Sequence, residues 1–369
     1  MNISRELWQQ LDPLLTDALE MDEGARAQWL QNIDHTHPQL SPALRRILDA
    51  HGRAERFGEL ETVPKLAPAP PRSSGYAIGT RVGSFALLRM LGRGGMGEVW
   101  LANQVDGRIE REVALKLPTV YLHSEVWRER FSRERDILAK LAHPNIARLF
   151  DAGVSDEEGS RGQPYLAMEC IEGESLTDFA ALHKLSISAR LKLFRQILAA
   201  VAHAHRHLVV HRDLKPANIL IDKSGQVKLL DFGIAKLLVD GTESNATADL
   251  TQLGSRVMTL RYAAPEQVSD GAISTATDTY ALGVILHELM TGLSPYRAVR
   301  ESRALTEAAL LNEETSVPST LSMHDDAAVE RKCASTKILS RQIAGDLDAI
   351  ILKAMRRHSA ERDASIEQF

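Results

Sequence analysis

Residues 211–233 constrain this chain more than any other stretch. They open with His-Arg-Asp-Leu-Lys-Pro-Ala-Asn and end with Asp-Phe-Gly. Between these motifs, residues 218–221 and 227–230 are rich in β-forming side chains, and a turn-type cluster at 222–225 joins them. This pattern predicts a β-hairpin with a polar motif on either side.

The predicted hairpin brings polar side chains together at one end. Asn218 begins the first strand and Asp231 follows the second, so their oxygen atoms should converge. Such oxygen ligands suit Mg²⁺, a hard cation that shares its shell with phosphates. Asp213 lies just upstream, in position to meet a hydroxyl group. Each residue alone is typical of a turn or a cap, but the combination predicts a site that handles both a metal and a proton.

A glycine-rich turn lies upstream, between strand-like runs at 85–90 and 99–102. Glycine lets backbone amides approach phosphate oxygens closely. The G-x-G-x-x-G pattern is weak by itself, and in a Rossmann fold it opens a helix. Here a second strand follows, which favours a lid over a nucleotide. The residues predicted to contact the nucleotide are Leu91, Gly92, Arg93, Gly94, Gly95, Met96, Gly97, Glu98 and Val99.

A lysine and a glutamate form a predicted ion pair. The strand 113–116 ends in Lys116, which can reach the α- and β-phosphates of a nucleotide. In the predicted helix 124–141, Glu134 lies on the face marked by apolar residues. A carboxylate turned inward needs a cation, and Lys116 is the candidate. The alternative is that Glu134 is one of several exposed charges on this helix.

These motifs, in this order, resemble the eukaryotic-like serine/threonine protein kinases of bacteria over about residues 78–362. The resemblance implies an α+β, two-lobed protein kinase fold, with a β-rich N-lobe at about 78–168 and a helical C-lobe at about 173–369. It also implies an enzyme that transfers the γ-phosphoryl group of ATP, with Mg²⁺, to Ser or Thr hydroxyls of protein substrates.

Individual roles follow from the resemblance. Lys116 would bind the α/β-phosphates and pair with Glu134. Asp213 would be the catalytic base, and Asn218 and Asp231 would hold Mg²⁺. Around them, the resemblance makes Met168 the gatekeeper. It places Ala114 and the hinge residues Glu169, Cys170 and Ile171 beside adenine. Lys215 and Thr259 match the family's pattern of Ser/Thr specificity.

The resemblance also identifies scaffold residues. Asp278 is predicted to be the N-cap of an apolar helix ended by Gly292 and to brace the catalytic loop. Glu266 and Arg362 resemble a buried ion pair of the family. Met258 stands where relatives often have glycine, which leaves the shape of the substrate-facing loop open.

Arg212, just before Asp213, resembles the arginine of kinases whose activation segment is ordered by phosphate. The hydroxyl-rich stretch between 239 and 256 supplies candidates for autophosphorylation. Thr251 is the preferred site, and Thr247 and Ser255 are further candidates. The alternative is a segment that is ordered without phosphate.

The remaining regions are less specific. Residues 1–62 show helical periodicity, and residues 63–77 form a Pro-rich linker to a kinase domain at 78–369. The N-terminal segment either packs on the small lobe or docks a regulatory partner. Relatives often continue into a membrane anchor or repeat domain, and the last helix looks unfinished at Phe369, so we expect a fragment of a longer protein.

Composition excludes several classes. A net charge of −5 gives no reason to expect a nucleic-acid partner or an anionic membrane surface. Two cysteines, Cys170 and Cys333, are too few for a disulfide framework and are compatible with a reducing cytoplasm. The chain shows neither a signal-peptide pattern nor an apolar run of the ~18 residues needed to span a membrane.

Three alternatives compete with the kinase interpretation. A nucleotide-binding pseudokinase scaffold is disfavoured because the catalytic set is complete. A small-molecule kinase of related fold would lack the Ala-Pro-Glu segment at 264–266. A zinc site among His203, His205, His207 and His211 is disfavoured by helical spacing, which puts only His203 and His207 on one face.

Overall fold

The computed structural model describes residues 29–30, 33, 40–41, 76–94, 97–106, 111–118, 135, 138, 140–157, 160, 162–232, 260–269, 271–296, 303–313 and 315–369. The chain divides into two units, Met1–Ser73 and Ser74–Phe369, and the second contains two lobes. The predicted limits of the linker, residues 63–77, stay a prediction.

The N-terminal lobe is built on one antiparallel sheet. Its strands are β1 (Arg81–Val82), β2 (Phe85–Gly94), β3 (Gly97–Gln104), β4 (Glu112–Pro118), β5 (Leu149–Val154) and β6 (Pro164–Glu169). Their order in the sheet is β1-β2-β3-β4-β6-β5. Alternate residues such as Val113, Leu115 and Leu117 are buried in the lobe's core, as the two-residue period of a strand requires. The strands around the glycine turn are longer than predicted because pairing continues to Gly94 and Gly97.

The C-terminal lobe is mainly helical. Its helices are α1 (Leu176–Leu182), α2 (Ile187–Arg206), α3 (Pro265–Val268), α4 (Thr275–Thr291), α5 (Arg303–Asn312), α6 (Asp325–Glu330), α7 (Thr336–Ile343) and α8 (Asp346–Ala354). Helix α4 is apolar on most of its surface and almost entirely buried, the pattern of a core helix. Within the described part of the chain, no helix has both the length and the apolar character to cross a membrane.

The predicted hairpin is confirmed. Strands β8 (Ile219–Asp222) and β9 (Val227–Leu229) pair antiparallel, and β7 (Gly173–Ser175) adds a third strand to the small sheet. In the turn, Asp222 Oδ1 accepts hydrogen bonds from the amides of Ser224 at 2.9 Å and Gln226 at 3.0 Å. The Leu230 amide donates to the Asn218 carbonyl at 2.8 Å, so Asn218 and the start of the Asp-Phe-Gly motif share one end.

One predicted helix start is wrong. Helix α4 begins at Thr275, and its N-cap is Ser274, whose Oγ accepts from the Ala276 amide at 3.3 Å. Asp278 is therefore inside the first turn, where its side chain serves a tertiary role. The predicted end is confirmed, because Gly292 takes a left-handed conformation with φ of 78°.

Helix α2 ends in a Schellman motif with an unusual residue. The Val209 amide bonds to the Ala204 carbonyl at 3.0 Å and the Leu208 amide to the His205 carbonyl at 2.9 Å. Leu208 therefore adopts a φ of 62°, a region that glycine prefers. Its side chain is 93% exposed, so it contributes almost no packing.

We expect Leu208→Gly to raise the free energy of unfolding by about 1 kcal/mol, because it relieves left-handed strain without loss of packing. Leu182→Gly is the matched control, since Leu182 is 70% exposed but helical. There glycine should lower the free energy of unfolding by about 1 kcal/mol. Urea denaturation measures both changes, and equal losses for the two variants would contradict the prediction.

Helix α4 also buries a histidine. His287 Nδ1 donates to the Leu293 carbonyl at 3.0 Å, and among the described residues its Nε2 has no hydrogen-bond partner. Burial lowers the pKa of His287 from 6.5 to about 4. Between these values the unfolded chain binds a proton that the folded chain does not, so folding becomes less favourable as the pH falls.

His287→Asn should flatten this pH dependence, because the asparagine amide donates to the same carbonyl but does not titrate. From pH 7 to pH 5, the parent should lose about 2 kcal/mol more unfolding free energy than the variant. Urea denaturation at the two pH values measures the difference, and parallel losses would exclude His287 as the cause.

Candidate active site

Lys116 and Asp231 form an ion pair between the lobes. Lys116 lies on β4, and its Nζ is 2.8 Å from Asp231 Oδ2. The lysine is buried, whereas the Asp231 side chain is 23% exposed, so the pair opens to solvent on the aspartate side. Asp231 adopts a φ of 51°, a left-handed conformation that is uncommon for residues other than glycine. The predicted partner of Lys116, Glu134, lies outside the described residues.

The glycine-rich turn is the tip of the β2–β3 hairpin. Gly97 has a φ of 130°, and a Cβ at this position would lie 2.1 Å from the Leu117 carbonyl oxygen. Glycine is therefore required at this position, because the backbone packs closely against β4. At Gly92 and Gly94, a Cβ would meet no described atom within 4 Å. The described residues thus leave space there, which suits the approach of a bound phosphate group.

The predicted adenine-binding elements are neighbours. Met168 pairs with Ala114 across strands β6 and β4. Strand β6 ends at Glu169, so Cys170 and Ile171 follow the strand and do not extend it. Glu169 Oε1 binds Lys228 Nζ at 2.8 Å, and this contact fixes the hinge to β9. Lys228 was not predicted as a partner of the hinge, because no spacing rule relates the two in sequence.

Asp213 is surrounded by the polar residues predicted beside it. Lys215 Nζ donates to Asp213 Oδ2 at 2.8 Å. The Asn218 side-chain amide donates to the Asp213 carbonyl at 2.8 Å and to Oδ2 at 3.2 Å. Since the amide nitrogen of Asn218 faces Asp213, its Oδ1 is the atom that remains for a cation.

The Asp278 carboxylate binds the backbone of the catalytic loop. Its carboxylate accepts from the backbone amides of His211 at 2.7 Å and Arg212 at 2.9 Å. His205 Nε2 lies 2.8 Å from the same carboxylate. The predicted bracing role of Asp278 is confirmed, but His205 was missed. A buried carboxylate is costly without hydrogen-bond donors, so the predicted position of Asp278 on an apolar helix was the one indication that a donor such as His205 would lie beside it.

His211 packs under the loop, as predicted. Burial lowers the pKa of His211, so the ring is neutral at neutral pH. Its Nε2 is 2.8 Å from the Leu230 carbonyl and must donate, because a carbonyl only accepts. Nδ1 is then an acceptor and faces the Asp213 amide at 3.4 Å.

The predicted Glu266–Arg362 ion pair is present and bidentate. Arg362 Nη1 and Nη2 lie 2.7 Å and 2.9 Å from the two carboxylate oxygens of Glu266. Thr277 Oγ1 donates to the same carboxylate at 2.9 Å. Burial raises the pKa of Glu266, but the hydrogen bonds and charge of Arg362, together with bonds from the backbone and Thr277, outweigh it, so the pKa lies below its ordinary value. The pair ties α3 to the C-terminal end of the lobe.

The histidines of α2 separate as their spacing indicates. The rings of His203 and His207 lie 4.6 Å apart, whereas His205 turns to Asp278. In the regions of the chain that the structure describes, no group of three or more His, Cys, Asp or Glu side chains is arranged to hold a metal ion.

Several predicted residues lie outside the described residues. They are Gly95, Met96, Glu134, Thr247, Thr251, Ser255, Met258 and Thr259. Their assigned roles stay predictions. Among the described members, Lys116 contacts Asp231, and Asp213 contacts Lys215 and Asn218. The bond from the Leu230 amide to the Asn218 carbonyl joins these two groups.

Comparisons with known proteins agree with this geometry. A family model described as "Protein kinase domain" matches residues 85–349. The chain is 36% identical over 245 residues to the serine/threonine-protein kinase PrkC of Bacillus subtilis, covering 66% of the chain and 35% of that protein. It is 37% identical over 287 residues to PknD of Mycobacterium tuberculosis, covering 77% of the chain and 38% of that protein.

A solved structure matches the fold. The kinase domain of M. tuberculosis PknI superposes with a TM-score of 0.52 at 25% identity, covering 79% of this chain and 95% of that one. This likeness confirms the predicted two-lobed α+β architecture. The chain spans little more than a third of the length of PrkC and PknD.

Proposed function

The chain belongs to the protein kinase family, and we propose that it transfers the γ-phosphoryl group of ATP to serine or threonine hydroxyls of proteins. One observation carries the proposal. Asp213 contacts Lys215 and Asn218, while Lys116 from the other lobe contacts Asp231. This arrangement supports the proposal, because the reaction needs residues that accept a proton, bind phosphate and bind a metal ion.

The donor set fits Mg²⁺ and ATP. Asn218 Oδ1 and the Asp231 carboxylate are hard oxygen ligands, the kind that Mg²⁺ prefers. Open space at Gly92 and Gly94 leaves room for phosphate groups beside the backbone. Held by Asn218 and Asp231, Mg²⁺ would supply positive charge to the phosphate oxygens. Lys116 would add a second positive charge, directed at the α- and β-phosphates.

The reaction is a displacement at phosphorus. The acceptor hydroxyl oxygen forms a bond to the γ-phosphorus, the bond from that phosphorus to the bridging oxygen breaks, and ADP leaves. Asp213 accepts the hydroxyl proton. Lys215, 2.8 Å from Asp213, neutralises charge beside it and orients its carboxylate. Catalysis rests on positioning and charge neutralisation, with no covalent enzyme intermediate.

Asp213→Asn and Lys116→Met should each lower phosphate transfer by about 100-fold or more, since each removes one preorganised catalytic group. The assay supplies labelled ATP, Mg²⁺ and a mixed pool of Ser, Thr and Tyr peptides. We expect label on Ser and Thr and essentially none on Tyr, because Lys215 and Thr259 fit the Ser/Thr pattern. Melting temperatures should stay close to that of the parent.

Lys223→Met is the matched control, because Lys223 is exposed and pairs only with the exposed Glu172 among the described residues. It should retain parental activity. A parent that binds ATP but transfers no phosphate would instead be a pseudokinase scaffold. Phosphotyrosine as a main product would refute the acceptor class, and label on small molecules alone would indicate a small-molecule kinase.

We further infer that phosphate on the activation segment promotes activity. Arg212 stands directly beside Asp213 and is held in a left-handed conformation, with φ of 64°. After incubation with ATP and Mg²⁺, mass spectrometry should find phosphate within residues 242–255, with Thr251 preferred. Thr251→Ala should then act more slowly on an added substrate. A fully active enzyme without phosphate in this window would show that the segment is ordered by other means.

Two further proposals rest on the sequence. A regulatory partner of the N-terminal segment 1–62 is supported by its helical periodicity. A cytoplasmic location is supported by the sparse use of cysteine.

A further inference from the structure

Gln267, the residue after the Ala-Pro-Glu motif, bridges two segments of the C-terminal lobe. Its Oε1 accepts from the Ala264 amide at 3.0 Å, and its Nε2 donates to the Arg212 carbonyl at 2.8 Å. Both partners are backbone groups with a single possible role, so the orientation of the side-chain amide is fixed by them. Gln267 thus links the start of α3 to the residue before Asp213.

Arg212 needs such a link because its backbone is strained. A φ of 64° is unfavourable for a residue with a Cβ, so the surroundings must hold it in place. Asp278 holds the Arg212 amide at 2.9 Å. Gln267 holds the Arg212 carbonyl on the other side.

The Arg212 carbonyl belongs to the peptide group that leads directly into Asp213. The Asp213 amide belongs to the same peptide group and lies 3.4 Å from His211 Nδ1. The bond from Gln267 to the Arg212 carbonyl is shorter, at 2.8 Å. Rotation of the plane would turn the Asp213 carboxylate away from Lys215 and Asn218.

The other end of the bridge is rigidly anchored. Glu266, the neighbour of Gln267 in α3, is held by the bidentate bond to Arg362 and by Thr277. A rigid anchor lets one amide transmit a defined position to the catalytic loop.

We infer that Gln267 is a positioning residue for the proposed phosphate transfer. Its side chain sets the orientation of the Arg212–Asp213 peptide group and, through it, the orientation of the Asp213 carboxylate. The inference rests on the proposed kinase function. It assigns Gln267 no contact with ATP. Loss of its bond to the Arg212 carbonyl should therefore lower kcat and leave the KM for ATP unchanged.

Two variants test this role. Gln267→Met keeps the length of the side chain but forms neither bond, and we expect kcat to fall by about 10-fold or more. Methionine is preferred to alanine because a polar cavity of about 10 Å³ lies beside Gln267, at the lower limit for a water molecule. Truncation to alanine would enlarge this cavity, so a water molecule could enter and replace the lost hydrogen bonds.

Gln267→Glu adds a pH readout that loss of packing would not produce. An ionised glutamate still accepts from the Ala264 amide but cannot donate to the Arg212 carbonyl, whereas a protonated one can. The kcat of this variant relative to the parent should therefore be about as low as that of Gln267→Met at pH 8, where the carboxyl group is ionised, and should rise toward the parental value as the pH falls to 5.5 and approaches the pKa of the new carboxyl group.

Ser269→Ala is the control in the same segment. It removes the bond from Ser269 Oγ to the Pro265 carbonyl, 3.1 Å long, without touching the catalytic loop, and should leave kcat and KM unchanged.

Three results would overturn the inference: parental kcat in Gln267→Met, a loss confined to the KM for ATP, or a flat relative pH profile in Gln267→Glu. If the methionine variant does not fold, the pH profile decides alone. A parent without phosphate transfer would refute the proposed function itself, which separates the two failures.

Discussion

The catalytic loop depends on one buried carboxylate. Asp278, 1% exposed, accepts the amides of His211 and Arg212 and contacts the His205 ring. A buried charge is tolerated only when donors satisfy it, and here the donors come from α2 and from the loop. The same interactions that make the carboxylate tolerable also fix the loop that carries Asp213. Helix α4, apolar and buried, holds Asp278 in place.

Two strained residues border the reacting groups. Arg212 and Asp231 both have positive φ angles, and both are held by polar contacts from other elements. Arg212 is bound by Asp278 and Gln267, and Asp231 by Lys116. Strain of this kind persists only where the surrounding fold over-determines the conformation. The rigid C-terminal lobe therefore serves as the frame on which the loop geometry is imposed.

The motifs predicted the elements around the site well because their local signals are strong. The turn at 222–225 and its flanking β-rich runs are sufficient for a hairpin, and α4 follows from its long apolar pattern. The predicted start of α4 was wrong, because Asp and Ser are both good N-cap residues and only packing distinguishes them. Gln267, His205 and Lys228 were missed, since their partners are distant in sequence and no spacing rule relates them.

The sequence by itself determined the fold family, the order of the elements and the chemical identity of the groups that meet in the site. Those properties depend on residue type and short-range spacing. Only the tertiary structure decided which groups bind each other: that Lys116 contacts Asp231, that Asp278 braces the loop from inside a helix, and that Gln267 holds the peptide before Asp213. The physical reason is that a hydrogen bond or ion pair requires atoms within about 3 Å, a condition set by the packing of elements far apart in the chain.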